Sequence, residues 1–497
     1  MLWTDKVKKI LKKYWKYDSL KEKQIQVINE LLLGNDVIGL LPTGYGKSMC
    51  YILPALITKK VIFIISPLIS LMDDQKDKLI KMNIPVASLN GNNRNRDIEY
   101  KEIIDGKIKI VYMTPEYLTD NNGLELAQLL TENNMLGYLA IDESHCLSSW
   151  GHDFRPNYLK IKNFRELFPL IPILAVTATA RERVVSEISN FLKLQNPKII
   201  RANFDRPNLF LKCIEMPKEK KKLMPEWKII KIYINKYPNE KIIVYINNRN
   251  DTEKISNSIN LNIDNCSNAY HAGLSKDDRE KIQNNFNEGK IKIIISTIAF
   301  GMGIDQVVKC VLIFGCPSSI EEYYQEIGRG GRDGLPCETV LYYKDFGKKK
   351  YMIKKENNTL VANKLENLYK VKDYFEITTC RRRYILEYFG MNKNYFLSNS
   401  FTCNNCDNCT KKNLIDITDK VYEHLIENKP IIKEYRELLY KYTKLLNIFI
   451  HWKKIINFNN YSLKDIPNNM LIKLPIQKIE EPEINDNIFD KFDKYIL

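Results

Sequence analysis

The sequence predicts an α/β protein with two parallel-sheet lobes in tandem, then a small helical zinc-binding domain and a short C-terminal region. Three observations carry this expectation. Short apolar runs separated by helical or loop segments recur in two series, the pattern of parallel strands with crossover helices. A glycine-bearing turn of the phosphate-binding type follows the first of these runs. Far downstream, Cys380, Cys403, Cys406 and Cys409 have the paired spacing of a tetrahedral metal site. A chain of 497 residues exceeds a single core. The expected boundaries are 1–203 and 204–345 for the two lobes, 346–411 for the zinc-binding domain and 412–497 for the remainder.

Residues 1–35 read as two helices, with Val7, Ile10, Leu11 and Tyr14 on one face and Ile25, Ile28 and Leu32 on another. Between them stand Tyr17 and Gln24, which in isolation look like surface residues. A strand over Val37–Leu41 then leads into Pro42-Thr43-Gly44-Tyr45-Gly46-Lys47-Ser48. Glycines let backbone N–H groups curl around phosphates, Lys47 neutralises them, and the Ser48 hydroxyl suits Mg²⁺. Leu41 occupies the place of the first glycine in the strict pattern, so the loop is a variant. Further strands are expected at Val61–Ile65, Ile108–Tyr112, Leu136–Ile141 and Ile173–Val176. Each ends in a short polar cluster: Ser66-Pro67-Leu68, Thr114-Pro115-Glu116, Asp142-Glu143 and Thr177-Ala178-Thr179. Ligands of open α/β sheets bind at that edge. The carboxylates of Asp142 and Glu143 suit a nucleotide-bound metal, and the loop that follows carries Trp150, His152, Phe154 and Arg155, side chains fitted to stack on bases and grip phosphates.

Around 201–241 the periodicity lapses: Asn203–Asn208 reads as a turn and Lys218–Lys222 as a solvated run. A second series follows at Ile242–Ile246, Ala269–Tyr270, Ile291–Ile295, Val311–Phe314 and Val340–Tyr343, without a phosphate loop of its own. It carries Thr297–Asp305 and Gln325–Gly334, the latter with Arg329 and Arg332 flanked by glycines. Alone, such arginines read as solvated charges. Facing a phosphate loop on another lobe, they read as a pair of γ-phosphate sensors, of the kind that contributes roughly 10³–10⁵ in rate. Residues 346–400 are basic and helical, including Arg381-Arg382-Arg383, and the four cysteines would staple them around Zn²⁺. A redox Cys-x-x-Cys is the competing reading, although four cysteines exceed what a dithiol requires. A helix is expected over Asp416–Asn428, and the Pro- and Asn-rich segment 466–488 carries no motif.

The net charge of +16 and pI near 9.1 fit a polyanionic partner, and equally a solubility or compositional bias. Eleven cysteines, mostly scattered singly, are no secreted disulfide framework. No apolar run approaches the roughly 20 residues that span a bilayer. The protein is expected to be soluble and intracellular, nuclear or cytoplasmic according to its source.

From about Tyr17 to Cys409 the chain resembles the RecQ family of superfamily 2 helicases. The resemblance rests on the phosphate loop followed by Cys50-Tyr51, Ser66–Met72, Ile141–Pro156, Tyr270–Leu274, Ala299–Asp305, Gln325–Gly334 and the cysteine cluster. It implies two RecA-like lobes and an ATP-dependent DNA helicase moving 3′→5′ on single strands and tailed or forked duplexes, acting in repair, recombination or replication. It implies that Tyr17 stacks on adenine and Gln24 reads it by a two-pronged hydrogen bond. Thr43, Gly44, Gly46, Lys47, Ser48 and Asp305 would serve ATP, with Ser48 and Asp142 on Mg²⁺. Glu143 would polarise the attacking water, and His145 would couple the lobes. Trp150, Phe154 and Arg155 would contact single-stranded DNA and report it to the ATP site. Arg329 would be the arginine finger, with Arg332 beside it and Gln325 in the same motif.

Four departures from the family pattern stand out: Lys21 replaces an arginine, Ser144 replaces an alanine, Ile246-Asn247-Asn248 is unusual, and the Cys380–Cys403 gap is long. About 88 residues follow Cys409, and Asp416-Ile417-Thr418 resembles the start of a winged helix. That length suggests a divergent or truncated wing, and with it a translocase that moves without separating strands as one alternative. An RNA helicase or RNA-stimulated ATPase, and a strand-annealing protein with a vestigial ATP site, are the others.

Overall fold

The computed structural model describes residues 5–91, 96–148, 155–178, 181–219, 222–263, 266–298, 300, 306–356, 360–391, 402–411, 414–416 and 473–475. Two helices open the chain, α1 (Asp5–Trp15) and α2 (Glu22–Leu32). The first lobe then alternates β1 (Val37–Leu40), α3 (Lys47–Thr58), β2 (Val61–Ile65), α4 (Ile69–Lys81), β3 (Val86–Leu89), α5 (Arg96–Ile104) and β4 (Ile110–Met113). It continues through α6 (Pro115–Leu118), α7 (Asn121–Glu132), β5 (Leu136–Ile141), α8 (Lys162–Leu167), β6 (Ile173–Thr177), α9 (Glu182–Phe191) and β7 (Lys198–Arg201). All seven strands run parallel in the order β3-β4-β2-β5-β6-β1-β7. Strands covered on both faces read as continuous apolar runs, as Val61–Ile65 does with all five residues buried. Val7 and Leu11 of α1 and Val27, Ile28 and Leu31 of α2 join this core.

The second sheet has a strand that the apolar periodicity does not mark. Within 201–241, where the periodicity lapses, lies β8 (Leu209–Glu215), whose burial alternates residue by residue. It pairs in parallel with the last strand of the second sheet, Cys337 opposite Leu209 through Tyr343 opposite Glu215. A half-buried edge strand alternates in polarity, so it lacks the apolar run of a central one. The lysine run also contains a two-strand hairpin, β9 (Lys218–Glu219) and β10 (Lys222–Leu223). There follow α10 (Glu226–Lys236), β11 (Ile242–Ile246), α11 (Arg249–Asn262), β12 (Ser267–Tyr270), α12 (Lys276–Asn287), β13 (Ile293–Ser296), β14 (Cys310–Phe314), α13 (Ile320–Ile327) and β15 (Cys337–Tyr343). The sheet order is β12-β13-β11-β14-β15-β8, again all parallel.

The helices α14 (Phe346–Lys354), α15 (Val361–Glu376) and α16 (Arg381–Tyr388) form the helical region that follows. Further on, α17 (Asp407–Lys411) precedes β16 (Leu414–Asp416), which pairs antiparallel with β17 (Lys473–Pro475). The helix expected over Asp416–Asn428 lies outside the described residues, except Asp416, which is in β16. Among the described residues, no helix is long and apolar enough to cross a membrane.

Candidate active site between the two sheets

The phosphate loop joins β1 to α3. Gly44 and Gly46 hold φ of +77° and +90°, a region that side chains rarely adopt. A Cβ on Gly46 would also stand 2.6 Å from Gln24 Nε2. Leu41, the departure from the strict glycine pattern, is fully buried, and its N–H donates to the Thr177 carbonyl at 3.0 Å. It extends the sheet, so the chain enters the turn one residue later.

Gln24 is buried against this loop. Its amide nitrogen donates to the carbonyls of Tyr45 (3.0 Å) and Gly46 (3.1 Å), and its carbonyl oxygen accepts the Lys21 N–H at 2.9 Å. Both amide hydrogens therefore brace the phosphate loop. Tyr17, by contrast, is 54% exposed at the mouth of the cleft. Lys21 lies with its ammonium 4.6 Å from the centre of the Tyr45 ring and donates to the Gly44 carbonyl at 3.4 Å.

At the end of β5, Asp142 and Glu143 face Lys47. The Lys47 ammonium lies 3.3 Å from Glu143 Oε1, and His145 Nδ1 lies 3.3 Å from Glu143 Oε2 and 2.9 Å from Thr177 Oγ1. Glu143 adopts the left-handed region, φ 48° and ψ 44°, an uncommon and strained choice for a residue with a Cβ. Asp142 is buried; its Oδ2 accepts the Tyr51 hydroxyl at 3.1 Å and its Oδ1 the Glu143 N–H at 2.9 Å. Burial, reinforced by the neighbouring Glu143 charge and opposed by Lys47, pushes the Asp142 carboxyl up to about 6. A buried carboxylate that holds its charge reluctantly is suited to receive a cation. The donor set of Asp142 and Ser48 fits the oxygen ligands that Mg²⁺ demands.

The second sheet supplies the facing wall. Arg329 follows the C-terminus of α13, half-buried beside Tyr245, Glu143 and Glu326; desolvation draws its pKa below the usual arginine value while those neighbours support its charge. Gly328 abuts the phosphate loop: a Cβ there would stand 3.3 Å from Thr43 Cβ. A Cβ on Gly44 would stand 3.8 Å from Arg332 Cγ. Lys47, Ser48, Asp142, Glu143, His145, Arg155, Gln325, Arg329 and Arg332 thus line one cleft of about 1000 Å³. Arg155 Nη1 donates to the Pro67 carbonyl of the same lobe at 2.5 Å. Trp150, His152, Phe154 and Asp305 lie outside the described residues.

Two residues that sequence reasoning passed over shape the arginine loop. Arg206 Nη2 donates to the carbonyls of Gly330 (2.9 Å) and Gly331 (2.8 Å), and Asn208 Nδ2 to those of Gly331 (2.8 Å) and Leu335 (2.9 Å). Both sit in Asn203–Asn208, which reads as a plain turn. The only available signal is an arginine and an asparagine flanking a proline.

The sulfurs of Cys380, Cys403, Cys406 and Cys409 all lie within 4.8 Å of one another. A tetrahedral Zn²⁺ with bonds of about 2.3 Å needs sulfurs roughly 3.8 Å apart, so the four thiols fit it as a donor set. Backbone N–H groups point at two of them, Asn405 N to Cys403 Sγ and Cys409 N to Cys406 Sγ, each at 3.4 Å. A dithiol switch would use only two of these sulfurs.

Comparison with known proteins locates these features. The family model for DEAD/DEAH box helicases matches residues 21–188, that for the helicase conserved C-terminal domain 225–334, and that for RecQ zinc-binding 343–410. The chain is 33% identical to the ATP-dependent DNA helicase RecQ of Pasteurella multocida over 94% of this chain and 70% of that one. It is 40% identical to an Acanthamoeba polyphaga mimivirus protein named for an ATP-dependent RNA helicase, over 83% and 73%. Against the ATP-dependent DNA helicase hus2/rqh1 of Schizosaccharomyces pombe it is 38% identical but spans only 30% of that protein. Among solved structures, the DUF1998 helicase MrfA bound to DNA and AMPPNP superposes with a TM-score of 0.58 at 18% identity, covering 79% of this chain and 59% of that one. That likeness is one of fold.

Proposed function

Because the chain belongs to the RecQ family of superfamily 2 helicases, we propose that it is an ATP-dependent DNA helicase that travels 3′→5′ along one strand and parts tailed or forked duplexes, in repair, recombination or replication. The observation that carries the reading is the two-sided cleft, with Lys47 and Glu143 on one wall and Arg329 and Arg332 on the other. ATP would seat its phosphates in the loop Thr43–Ser48, and its γ-phosphate would meet Arg329 only when the lobes are apposed. Hydrolysis would thereby be tied to closure, a gating motion of the kind that sets many turnover rates.

In this reading Glu143 orients and deprotonates the attacking water, its carboxylate held by Lys47 and His145. Mg²⁺ held by Ser48 and Asp142 would neutralise charge on the β- and γ-phosphates. Arg329 stabilises the charge that develops on the transferred phosphoryl group. Tyr17, exposed at the mouth, stacks on the base, while Gln24 sets the shape of the loop below it. Trp150, Phe154 and Arg155 relay bound single strand to Glu143 through the loop that begins at Asp142. Cys380, Cys403, Cys406 and Cys409 would hold a Zn²⁺ that staples the helical region. Strand affinity would rest on phosphate neutralisation and base stacking, and would fall steeply with salt.

The mimivirus relative's name favours one second reading, an RNA-stimulated ATPase. Comparing ATPase stimulation by single-stranded DNA and RNA of one sequence separates the two. Strand displacement on duplexes with a 3′ or a 5′ tail then tests direction. Unwinding from a 5′ tail alone would reverse the polarity, and stimulation by RNA alone would replace the substrate.

A further inference from the structure

Helix α13 carries Gln325 in its last turn and delivers Arg329 to the cleft, yet its other end is also held by the first lobe. Glu321, in its first turn, is almost fully buried. Its Oε1 lies 3.5 Å from Nε of Arg181, the residue at the start of α9 in the first lobe. The same guanidinium donates from Nη2 to Asn367 Oδ1 at 2.7 Å, pairs through Nη1 with Glu366 at 3.5 Å, and lies 5.0 Å from the centre of the Tyr388 ring. Tyr388 returns to Glu321, its hydroxyl within 2.9 Å of Oε1 and 2.8 Å of Oε2. One arginine of the first lobe thus gathers α13 of the second lobe and α15 and α16 of the helical region.

We propose that Arg181 is a positioning residue for ATP hydrolysis: its ion pair with Glu321 latches α13 to the first lobe and so fixes the approach of Arg329 to the phosphate loop. The inference deepens the proposed function and rests on its reading of the cleft as an ATP site. Its physical basis is an asymmetry between apposed and separated lobes. Drawing the lobes apart separates Arg181 from a carboxylate that is buried when they are apposed, and breaking a buried pair is costly. The pair is therefore strongest when the lobes are apposed. Geometry makes the latch act on the arginine finger. From Glu321 to Ile327, the last residue of α13, is about 9 Å at 1.5 Å per residue, and Arg329 stands two residues further on. Arg181 of the first lobe meets this short rod at Glu321, and Thr43 of the first lobe stands against Gly328 just past its end. Two contacts fix the tilt of a helix where one leaves it free to pivot. Asn367, Glu366 and Tyr388 would report rearrangement of the helical region to the same rod.

The test uses the full zinc-loaded chain and four variants: Arg181→Met, Arg181→Lys, Glu321→Gln and the Met/Gln double. Single-turnover hydrolysis at saturating ATP and single-stranded DNA is measured beside fluorescent-nucleotide affinity and thermal unfolding. Arg181→Met is expected to slow hydrolysis at least ten-fold while nucleotide Kd stays within two-fold, because the phosphate loop is untouched. Arg181→Lys, which keeps the charge but loses the planar fork, is expected to recover part of the rate. The double variant is expected to be no slower than the slower single, since both remove one contact. Hydrolysis within two-fold of wild type in Arg181→Met would overturn the latch. So would a parallel fall of rate, affinity and unfolding temperature in both Arg181 variants, which marks a structural prop. A wild-type chain that binds but never hydrolyses ATP would overturn the proposed function and the latch together, whereas an active wild type with an indifferent Arg181 overturns the latch alone.

Discussion

Replacing Arg382 by Met probes how the helical region is fastened to the second lobe. In the sequence Arg382 sits in a run of three arginines within the basic, helical stretch 346–400. In the fold it is buried, with Nη1 2.8 Å from Asp205 Oδ1 and 2.6 Å from the Arg206 carbonyl, and Nη2 2.5 Å from the Leu209 carbonyl. These three partners span the segment that enters β8. Met preserves the apolar stem but removes the Arg382 cation from beside Asp205, itself only 13% exposed. Removing one partner of a buried ion pair costs about 3–5 kcal/mol. The Leu209 carbonyl keeps a donor in Asn405 Nδ2 at 3.2 Å, so its loss adds little. The expected destabilisation is therefore about 3–5 kcal/mol, read by urea unfolding followed through tryptophan fluorescence and far-UV circular dichroism. Adding Asp205→Leu is expected to recover part of it, because an apolar pair no longer strands a charge. A loss below about 1 kcal/mol for Arg382→Met would refute the reasoning.

Lys47→Ala should leave DNA binding within a few-fold of wild type and abolish hydrolysis; near-normal turnover would remove Thr43–Ser48 from the account. Changing Trp150 and Phe154 together to Ala should preserve basal hydrolysis and remove its stimulation by single-stranded DNA, which steady-state ATPase assays read directly. Asp74 on α4 has its carboxyl raised to about 6, chiefly by burial, with Lys78 opposing and Asp77 adding to the shift. A carboxyl raised in the folded state favours folding fully below its ordinary value and loses that contribution as pH climbs through about 6. Asp74→Asn should consequently be near neutral at about pH 3, below the ordinary carboxyl value, and stabilising at pH 7.5 by about 1 kcal/mol after allowance for solvent screening. Metal analysis should find one Zn²⁺ per chain, and its removal by chelation should lower the unfolding temperature; a metal-free chain of unchanged stability would reassign the cysteines.

The parts of the fold that could be read from the sequence are those where burial is complete. Val61–Ile65, Leu136–Ile141 and Ile242–Ile246 coincide with their expected strands residue for residue, because short apolar runs covered on both faces suit a central strand. Edge strands escaped: Lys198–Arg201 exposes its first two residues and Leu209–Glu215 alternates, so neither produces an apolar run. Ser66, Thr114, Asp142 and Thr177, at the ends of β2, β4, β5 and β6, stand at one edge of a parallel sheet, as expected, while Thr179 lies outside the described residues. In the site, the phosphate loop was legible because only glycine tolerates its backbone. The role of Gln24 as a brace was not, since its partners are carbonyls that every residue possesses. Arg181, Arg206 and Arg382 were illegible for a related reason. An arginine's sequence neighbours do not reveal that its partners lie 100 or more residues away in the fold.

The central claim is that both walls of the cleft act on one ATP to drive the chain along DNA. The most direct measurement is ATP-dependent strand displacement on a duplex carrying a 3′ single-stranded tail, with Arg329→Ala and Lys47→Ala as paired controls. The account expects unwinding by the wild type and its loss in each control, with hydrolysis reduced roughly 10³–10⁵-fold by Arg329→Ala. Unwinding that survives Arg329→Ala, or robust hydrolysis without displacement from either tail, would contradict it.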